Sequence, residues 1–262
     1  MPSDIEPVGI FIAGVQKAGT SALHSYFAEH PELLAPRKKE THFFDNETTV
    51  DWARPDYEHD LHDRFYPRPR PGARAYDATP ITIFWPPSIE RIVRYNPWAK
   101  FIFLFRDPIE RAFSNWRMEV GRAAERLDFS EAIREGRRRL DGLPELHSDR
   151  RLYSYIERGL YAEQLDRVLE RVPRERLLLL SSFDLASRPK QVLADISTFL
   201  GIAPFPNFRP RKVFVGNADA ANAPSDGDVD YLRAIFASDT ERFSALSGID
   251  TSTWLTLKSK VR

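Results

Sequence analysis

At 262 residues the chain is long enough for one substantial core, and a single domain over residues 1–262 is expected. Its 38 basic and 38 acidic residues cancel, so nothing marks it as a nonspecific nucleic-acid binder, and the lack of cysteine rules out disulfides and thiolate sites. No apolar run approaches the ~20 residues needed to span a bilayer, and the polar, acidic start Met1–Pro7 is unlike a signal peptide, so a cytoplasmic location is expected.

The apolar run Ile10–Ala13 reads as a buried strand that breaks at Gly14. Gln16–Ser21 then makes a short basic turn, and Ala22–Glu29 follows as a helix with Ala22, Leu23, Tyr26 and Phe27 on its inner face. Strand, glycine-bearing turn and helix is how α/β proteins hold phosphate. Backbone N–H groups and the positive helix end face the anion, a lysine adds charge and hydroxyls add hydrogen bonds. The G-x-x-x-x-G-K-[ST] pattern is missing, so this is not a Walker A loop. Alone, the turn fits either a phosphate site or an ordinary connection whose lysine faces solvent.

His30-Pro31 stops the helix, because proline disfavours a helical residue before it. In Arg37–Asp45 dense charge meets two aromatics, and Phe43 and Phe44 are expected to anchor the segment and position Glu40 and His42. Residues 47–71 read as irregular with helical turns around Tyr57–Phe65, a long loop of the kind that covers a site. Arg74–Pro80 begins as a short strand and ends in a polar turn. Ser88–Tyr95 is a helix, with Ser88 as its cap. Lys100–Phe105 is the clearest strand, apolar in the way that suits a central parallel strand covered on both faces. It stops at Arg106-Asp107-Pro108, and a helix follows through Trp116 and Arg117.

Phe129–Leu140 reads as a charged helix whose Arg137–Arg139 run is solvated surface, and 141–149 as a flexible connection. Helical periodicity resumes over Tyr155–Glu170, interrupted at Gly159, where a fresh helix can begin. Arg176–Ser181 is a third apolar strand, and the helix Pro189–Leu200 ends on Gly201. Residues 204–224 form a loop with Arg209, Arg211 and Lys212 as its basic members, before a last helix over Asp228–Ser244. The alternation predicts a three-layer α/β fold with a largely parallel sheet. Such sheets bind ligands beyond the carboxyl ends of their strands, where both Gln16–Ser21 and Arg106–Ser114 belong. Two such turns suggest a ligand with phosphate at two separated positions. A mononucleotide kinase would match that description, but its phosphate loop is missing.

In these segments the chain resembles sulfotransferases that use 3′-phosphoadenosine 5′-phosphosulfate (PAPS), in particular heparan sulfate N- and O-sulfotransferases and related bacterial enzymes. The resemblance implies their P-loop-like fold, with Gln16-Lys-Ala-Gly-Thr-Ser21 as the 5′-phosphosulfate loop. Lys17 would contact the 5′-phosphate and bridging oxygen, and Gln16, Ala18, Gly19, Thr20 and Ser21 would complete the cradle. Phe105-Arg-Asp-Pro-Ile-Glu-Arg-Ala-Phe-Ser114 is similar to the 3′-phosphate segment, which assigns Arg106 and Ser114 to that phosphate. Lys38-Lys-Glu-Thr-His-Phe-Phe44 resembles the family's Lys-Glu-x-x-Phe-Phe region, whose glutamate is the proposed general base, here Glu40. An acceptor losing its proton as it attacks sulfur needs such a base. His42 is the alternative base, since an unperturbed imidazole titrates near neutrality, or else a structural or substrate contact. His24 is expected to take no catalytic part.

Arg158–Leu165 is similar to the family's Gly-x-Tyr segment and places Tyr161 near cofactor or acceptor, while Arg211 and Lys212 match the approach to a late cofactor loop. Ala78 stands where several members carry lysine, and Lys38, Lys39 and Arg74 are candidates to compensate. The implied reaction moves a sulfuryl group from PAPS to an acceptor and releases adenosine 3′,5′-bisphosphate (PAP). No metal is required, and the six histidines show no ligand cluster. The expected acceptor is a small metabolite, lipid or glycan, by its hydroxyl before its amine, with Trp52, Arg54, Arg74, Tyr76 and Trp85 as candidate contacts. A noncatalytic PAPS- or nucleotide-binding module is the competing reading. The sequence shows no distinctive interface stripe, which leaves oligomeric state open.

Overall fold

The computed structural model of the chain describes residues 6–54, 57–206 and 223–258. In chain order its elements are β1 (Ile10–Gly14), α1 (Thr20–Ala28), β2 (Leu33–Leu34), α2 (Tyr57–Phe65), β3 (Arg74–Asp77), α3 (Pro87–Tyr95) and β4 (Lys100–Phe105). Then come α4 (Pro108–Gly121), α5 (Phe129–Leu140), α6 (Arg150–Tyr153), α7 (Tyr161–Leu169), β5 (Leu177–Ser181), α8 (Ser182–Ser187), α9 (Pro189–Leu200) and α10 (Asp226–Ser247). The chain divides into two compact units, Met1–Phe105 with Val168–Val213 and Arg106–Arg167 with Phe214–Arg262.

The first unit is an α/β layer structure on one five-stranded sheet of order β2-β3-β1-β4-β5, parallel throughout. β1 and β4 lie inside the sheet and are almost wholly buried, which is why they read as unbroken apolar runs. Phe101, Phe103 and Phe105 alternate onto one face of β4, and Phe11 of β1 stacks on Phe101 at 5.6 Å. Burying each such ring contributes roughly 1.5–3 kcal/mol. α1 packs on β1 through a face that includes Leu23 and Phe27, and α9 covers β5 with Val192, Leu193, Ile196 and Leu200.

One local expectation changes, and two short elements go beyond the sequence reading. β2 is two residues long, too short to show a strand period. Ser88 does not cap α3, because the helix has already begun at Pro87, and Ser88 is fully buried inside its first turn. A serine cap occurs instead at Ser181, whose hydroxyl accepts from the Phe183 N–H and opens α8, a helix too short to show in the sequence.

The second unit packs α4, α5, the Tyr155-Ile156 segment and α10 around Ile109, Ala112, Phe129, Ile133, Tyr155 and Phe236. Gly159 ends a 3-10 turn (Glu157–Gly159) because a Cβ there would stand 2.7 Å from the Phe236 ring and 3.1 Å from Pro108 Cβ. That close approach, rather than turn freedom, explains the glycine, and α7 starts afresh two residues later. Arg137 and Arg138 are exposed and pair with Glu157 and Glu135, as a solvated surface run should, whereas Arg139 is half-buried and pairs with the buried Glu125. The 141–149 connection, expected to be flexible, is held by Arg150, which donates to the carbonyls of Leu143 and Pro144 at 2.9 Å. α10 extends beyond the expected span at both ends: Ser225 caps it at Asp228 N–H, and Gly248 terminates it at φ 74°. No helix among the described residues is long and apolar enough to cross a membrane.

Candidate active site

In the first unit, β1 and β4 are neighbours and end at the same edge of the sheet, at Gly14 and Phe105. A β-carbon on Gly14 would sit 2.7 Å from Ile83 Cγ2, so only glycine lets the chain turn there against that side chain. Val15 N–H donates to Leu104 O at 2.8 Å and staples the loop to β4. Lys17 at φ 75° and Gly19 at φ 98° both take the left-handed conformation, and Gly19 serves as N-cap of α1. No side chain caps α1, in contrast to α4, α5 and α10, which Asp107, Asp128 and Ser225 cap. The loop thus offers amides at the positive end of a helix, the Lys17 ammonium and the Thr20 and Ser21 hydroxyls, a set suited to an anion. Ala18 and Thr20 are buried, Gln16, Lys17 and Gly19 are half-buried and Ser21 is exposed.

The second cluster of the first unit is built on Arg37–Asp45. Phe43 and Phe44 are buried and pack edge to face on one another, with Phe44 also against Phe11 of β1. This anchor turns the polar residues on either side of it toward each other. Glu40 Oε1 lies 2.8 Å from Lys39 Nζ, Glu40 Oε2 lies 3.3 Å from His42 Nε2, and His42 Nδ1 lies 2.9 Å from Asp45 Oδ2. Asp45 is 1% exposed. The polar turn after β3 supports the segment from beneath: Thr41 N–H donates to Asp77 Oδ1 and His42 N–H to Thr79 Oγ1. His42 holds φ 49°, a strained conformation for a residue other than glycine, which these contacts maintain.

The charges follow from this geometry. The Asp45 hydrogen bond, reinforced by Glu40, raises the His42 imidazole to about 9 against the opposing effect of burial. Burial alone would raise Glu40, but the hydrogen bond from His42 and the charge and hydrogen bond of Lys39 outweigh it and hold the carboxyl at about 2. At neutral pH the cluster is therefore an ionised Glu40 between an ammonium and an imidazolium. His42 is protonated there, so it cannot be the resting base, and Glu40 is the group with a vacant proton site.

Lys39 Nζ also reaches Thr20 Oγ1 at 3.4 Å, which brings the Arg37–Asp45 segment to the start of α1 and the Gln16–Ser21 loop. Among the residues that stood to offset Ala78, this singles out Lys39. Ala78 is fully buried, Lys38 is exposed, and Arg74 donates to Leu200 O at 2.8 Å. The sequence reading named Lys39 as a candidate cation but missed Asp45, Asp77 and Thr79 as site residues. The His42-x-x-Asp45 spacing was the available signal for Asp45. His24 lies on α1 within electrostatic reach of Lys39 and Glu40, and its Nδ1 meets the Tyr76 hydroxyl at 2.9 Å.

In the second unit Arg106 stands just before Asp107, the N-cap of α4. Asp107 caps the helix at Glu110 N–H, and its other carboxylate oxygen accepts from both the N–H and the hydroxyl of Thr256 at 2.8 Å. The fully buried Tyr161 donates its hydroxyl to Arg106 O at 2.9 Å. Tyr161 therefore fixes the backbone of Arg106, and its ring has no exposed face for a ligand. The Arg106 guanidinium meets Glu110 at 2.9 Å, and Ser114 lies half-buried two turns along α4.

The five expected acceptor contacts divide among separate jobs. Trp85 and Tyr76 are buried: the Trp85 indole donates to Glu47, and the Tyr76 ring packs on Phe27, so both are core residues rather than open platforms. Trp52 is half-buried among Phe43, Phe44 and Tyr57, with the Arg91 guanidinium 4.2 Å above its ring. Arg54 is exposed beside Asp60, and Arg74 is tied to Leu200. Arg211 and Lys212 lie outside the described residues.

Residues 7–207 match the profile of the family described as "Sulfotransferase family". Human heparan sulfate glucosamine 3-O-sulfotransferase 6 is 29% identical over 194 residues, 73% of this chain and 51% of that protein. Human bifunctional heparan sulfate N-deacetylase/N-sulfotransferase 3 is 26% identical over 216 residues, 78% of this chain and 23% of that protein. The chain thus spans about half or less of the length of these curated relatives. A sulfotransferase crystal structure from Alicyclobacillus acidocaldarius superposes with a TM-score of 0.77 at 29% identity, covering 95% of this chain and 99% of that one. A mouse sulfotransferase solved with PAP shares the fold alone, with a TM-score of 0.51 at 14% identity.

Proposed function

The chain belongs to the sulfotransferase family, and on that premise we propose that it transfers the sulfuryl group of PAPS to an acceptor hydroxyl and releases PAP. The observation that carries the proposal is the meeting of base segment and anion loop in the first unit, where Lys39 contacts both Glu40 and Thr20. PAPS supplies an activated sulfuryl group with a phosphate leaving group. The acceptor oxygen forms a bond to sulfur as the sulfur–bridging-oxygen bond breaks, its electron pair stays on the 5′-phosphate, and the acceptor proton passes to Glu40. Lys17 and the α1 amides stabilise the charge that develops on the bridging oxygen. Gln16, Ala18, Gly19, Thr20 and Ser21 complete that cradle.

Arg106 and Ser114 are the proposed contacts of the 3′-phosphate, with Tyr161 acting through the Arg106 backbone, and Arg211 and Lys212 are further donor contacts. The chain serves as one catalytic domain in this reading. The names of the 3-O-sulfotransferase relatives support a hydroxyl acceptor over an amine. The acceptor class is a small metabolite, lipid or glycan, with Trp52 and Arg54 as its candidate contacts. Incubation with sulfur-labelled PAPS and a panel of alcohols, lipids and oligosaccharides tests the proposal by mass spectrometry. A product heavier by one sulfuryl group, with PAP released in equal amount, is expected. Binding of PAPS without transfer to any acceptor would support a noncatalytic module, and turnover of ATP in preference to PAPS would overturn the reading.

A further inference from the structure

Both oxygens of Glu40 are occupied by cationic partners, Lys39 on Oε1 at 2.8 Å and His42 on Oε2 at 3.3 Å. A carboxylate held at about 2 between two cations is a poor proton acceptor. One cation must withdraw before the base can work, and the two are not equally free to do so. The His42 ring is pinned at Nδ1 by the buried Asp45, and its backbone N–H is held by Thr79. Lys39 has a flexible four-carbon stem and three donors, with a second contact already made to the Thr20 hydroxyl at 3.4 Å. That neutral hydroxyl competes weakly with Glu40, whereas an anionic oxygen placed beside it would compete strongly. His24 reports the same placement from α1: burial first, and the Lys39 charge next, lower its pKa.

We propose that Lys39 is a shared cation that holds Glu40 before the donor arrives and then turns to the sulfuryl oxygens of the donor, freeing Glu40 Oε1 to accept the acceptor proton. The inference rests on the sulfotransferase reading above. It makes the base available only when a sulfuryl group is present, and it assigns to Lys39 the cationic role that the buried Ala78 cannot supply. The neighbouring charges fit this exchange. His42 and Asp45 stay paired throughout, Asp77 is engaged with Thr41 and Thr79, and the lowered pKa of His24 favours its neutral form.

Calorimetric titration of PAPS and PAP into the wild type, Lys39→Met and Lys39→Arg tests this without knowledge of the acceptor. The wild type is expected to bind PAPS more tightly than PAP. Lys39→Met should reduce that preference about tenfold, equivalent to ~1.4 kcal/mol, and leave PAP affinity within about twofold, whereas Lys39→Arg should retain most of it. A wild-type preference preserved in Lys39→Met overturns the proposal. A wild type that binds neither nucleotide overturns the sulfotransferase reading instead. Should Lys39→Met not fold, the Glu40 carboxyl 13C resonance of the wild type, assigned through Glu40→Gln, decides the matter. It should move on addition of PAPS and not PAP, and a resonance unmoved by PAPS overturns the proposal.

Discussion

Asp45 Oδ2 stands 2.9 Å from His42 Nδ1 while only 1% of Asp45 is exposed. This buried carboxylate keeps the imidazole protonated with its Nε2–H directed at Glu40. In Asp45→Asn the amide oxygen can still accept from Nδ1–H, but the negative charge is gone. The His42 pKa should then fall from about 9 toward 6.5. NMR titration of the histidine ring protons measures this directly, and a value still near 9 in the variant would show that Asp45 is not the cause.

Glu40 and Arg106 should separate in kinetics. Glu40→Gln keeps the shape and loses the proton acceptor, so turnover should fall about 10²–10⁴-fold with little change in PAP affinity. Arg106→Ala should act the other way, weakening PAP binding much more than the chemical step. Single-turnover transfer rates alongside PAP titrations provide the check. Equal effects of both variants on binding would remove Glu40 from the base role.

Tyr161→Phe deletes the hydroxyl that donates to Arg106 O and leaves that carbonyl without this donor. A loss of about 1–3 kcal/mol in stability is expected, along with weaker PAP binding through the displaced Arg106. Urea denaturation and PAP titration measure the two parts. Stability loss with unchanged PAP affinity would make Tyr161 a core residue only.

Gly159→Ala places a methyl 2.7 Å from the Phe236 ring. Overpacking of this kind costs about 1–3 kcal/mol. The double variant with Phe236→Leu should recover part of that loss. No recovery would locate the strain at the Pro108 side, 3.1 Å away.

Stability should carry the signature of the Glu40–His42 pair. The imidazole, raised from 6.5 to about 9, contributes stability that is fully present below pH 6.5 and is lost as pH rises through 9. The carboxyl, lowered from 4.5 to about 2, contributes stability present above pH 4.5 and lost as pH falls through 2. The contribution is therefore greatest between pH 4.5 and 6.5. The difference in Tm between the wild type and His42→Asn should peak in that window and fade by pH 9, whereas a difference independent of pH would contradict the ionisation states assigned here.

Much of the fold was legible because it is written in local periodicity. The unbroken apolar runs of β1 and β4 reflect burial on both faces, while the apolar run of the edge strand β5 is only partly buried, and the alternation with helices implies a parallel sheet. Gly201 marks the end of α9 because the chain takes φ 65° there. The missed elements are those with too few residues to repeat a period, β2, α6 and α8. At Ser88 a residue suited to capping was drawn instead into a buried first turn.

The residues of the candidate site divide in the same way. Lys17 and Gly19 stood out from the chemistry of their loop, whereas Glu40, Arg106 and Ser114 stood out through segments that resemble those of sulfotransferases. What each residue touches is a property of distance in space, and composition does not encode it. The sequence by itself determined a parallel α/β protein with a glycine-bearing strand-to-helix turn after its first strand and a carboxylate close behind it. Only the tertiary structure decided that Phe43 and Phe44 turn Glu40 and His42 toward each other, that Asp45 charges His42 from within the core, and that Lys39, among the candidate cations, reaches both the base and the loop. The reason is physical. Hydrogen bonds and ion pairs act over about 3 Å, and which groups come within that reach is set by packing of segments far apart in the chain.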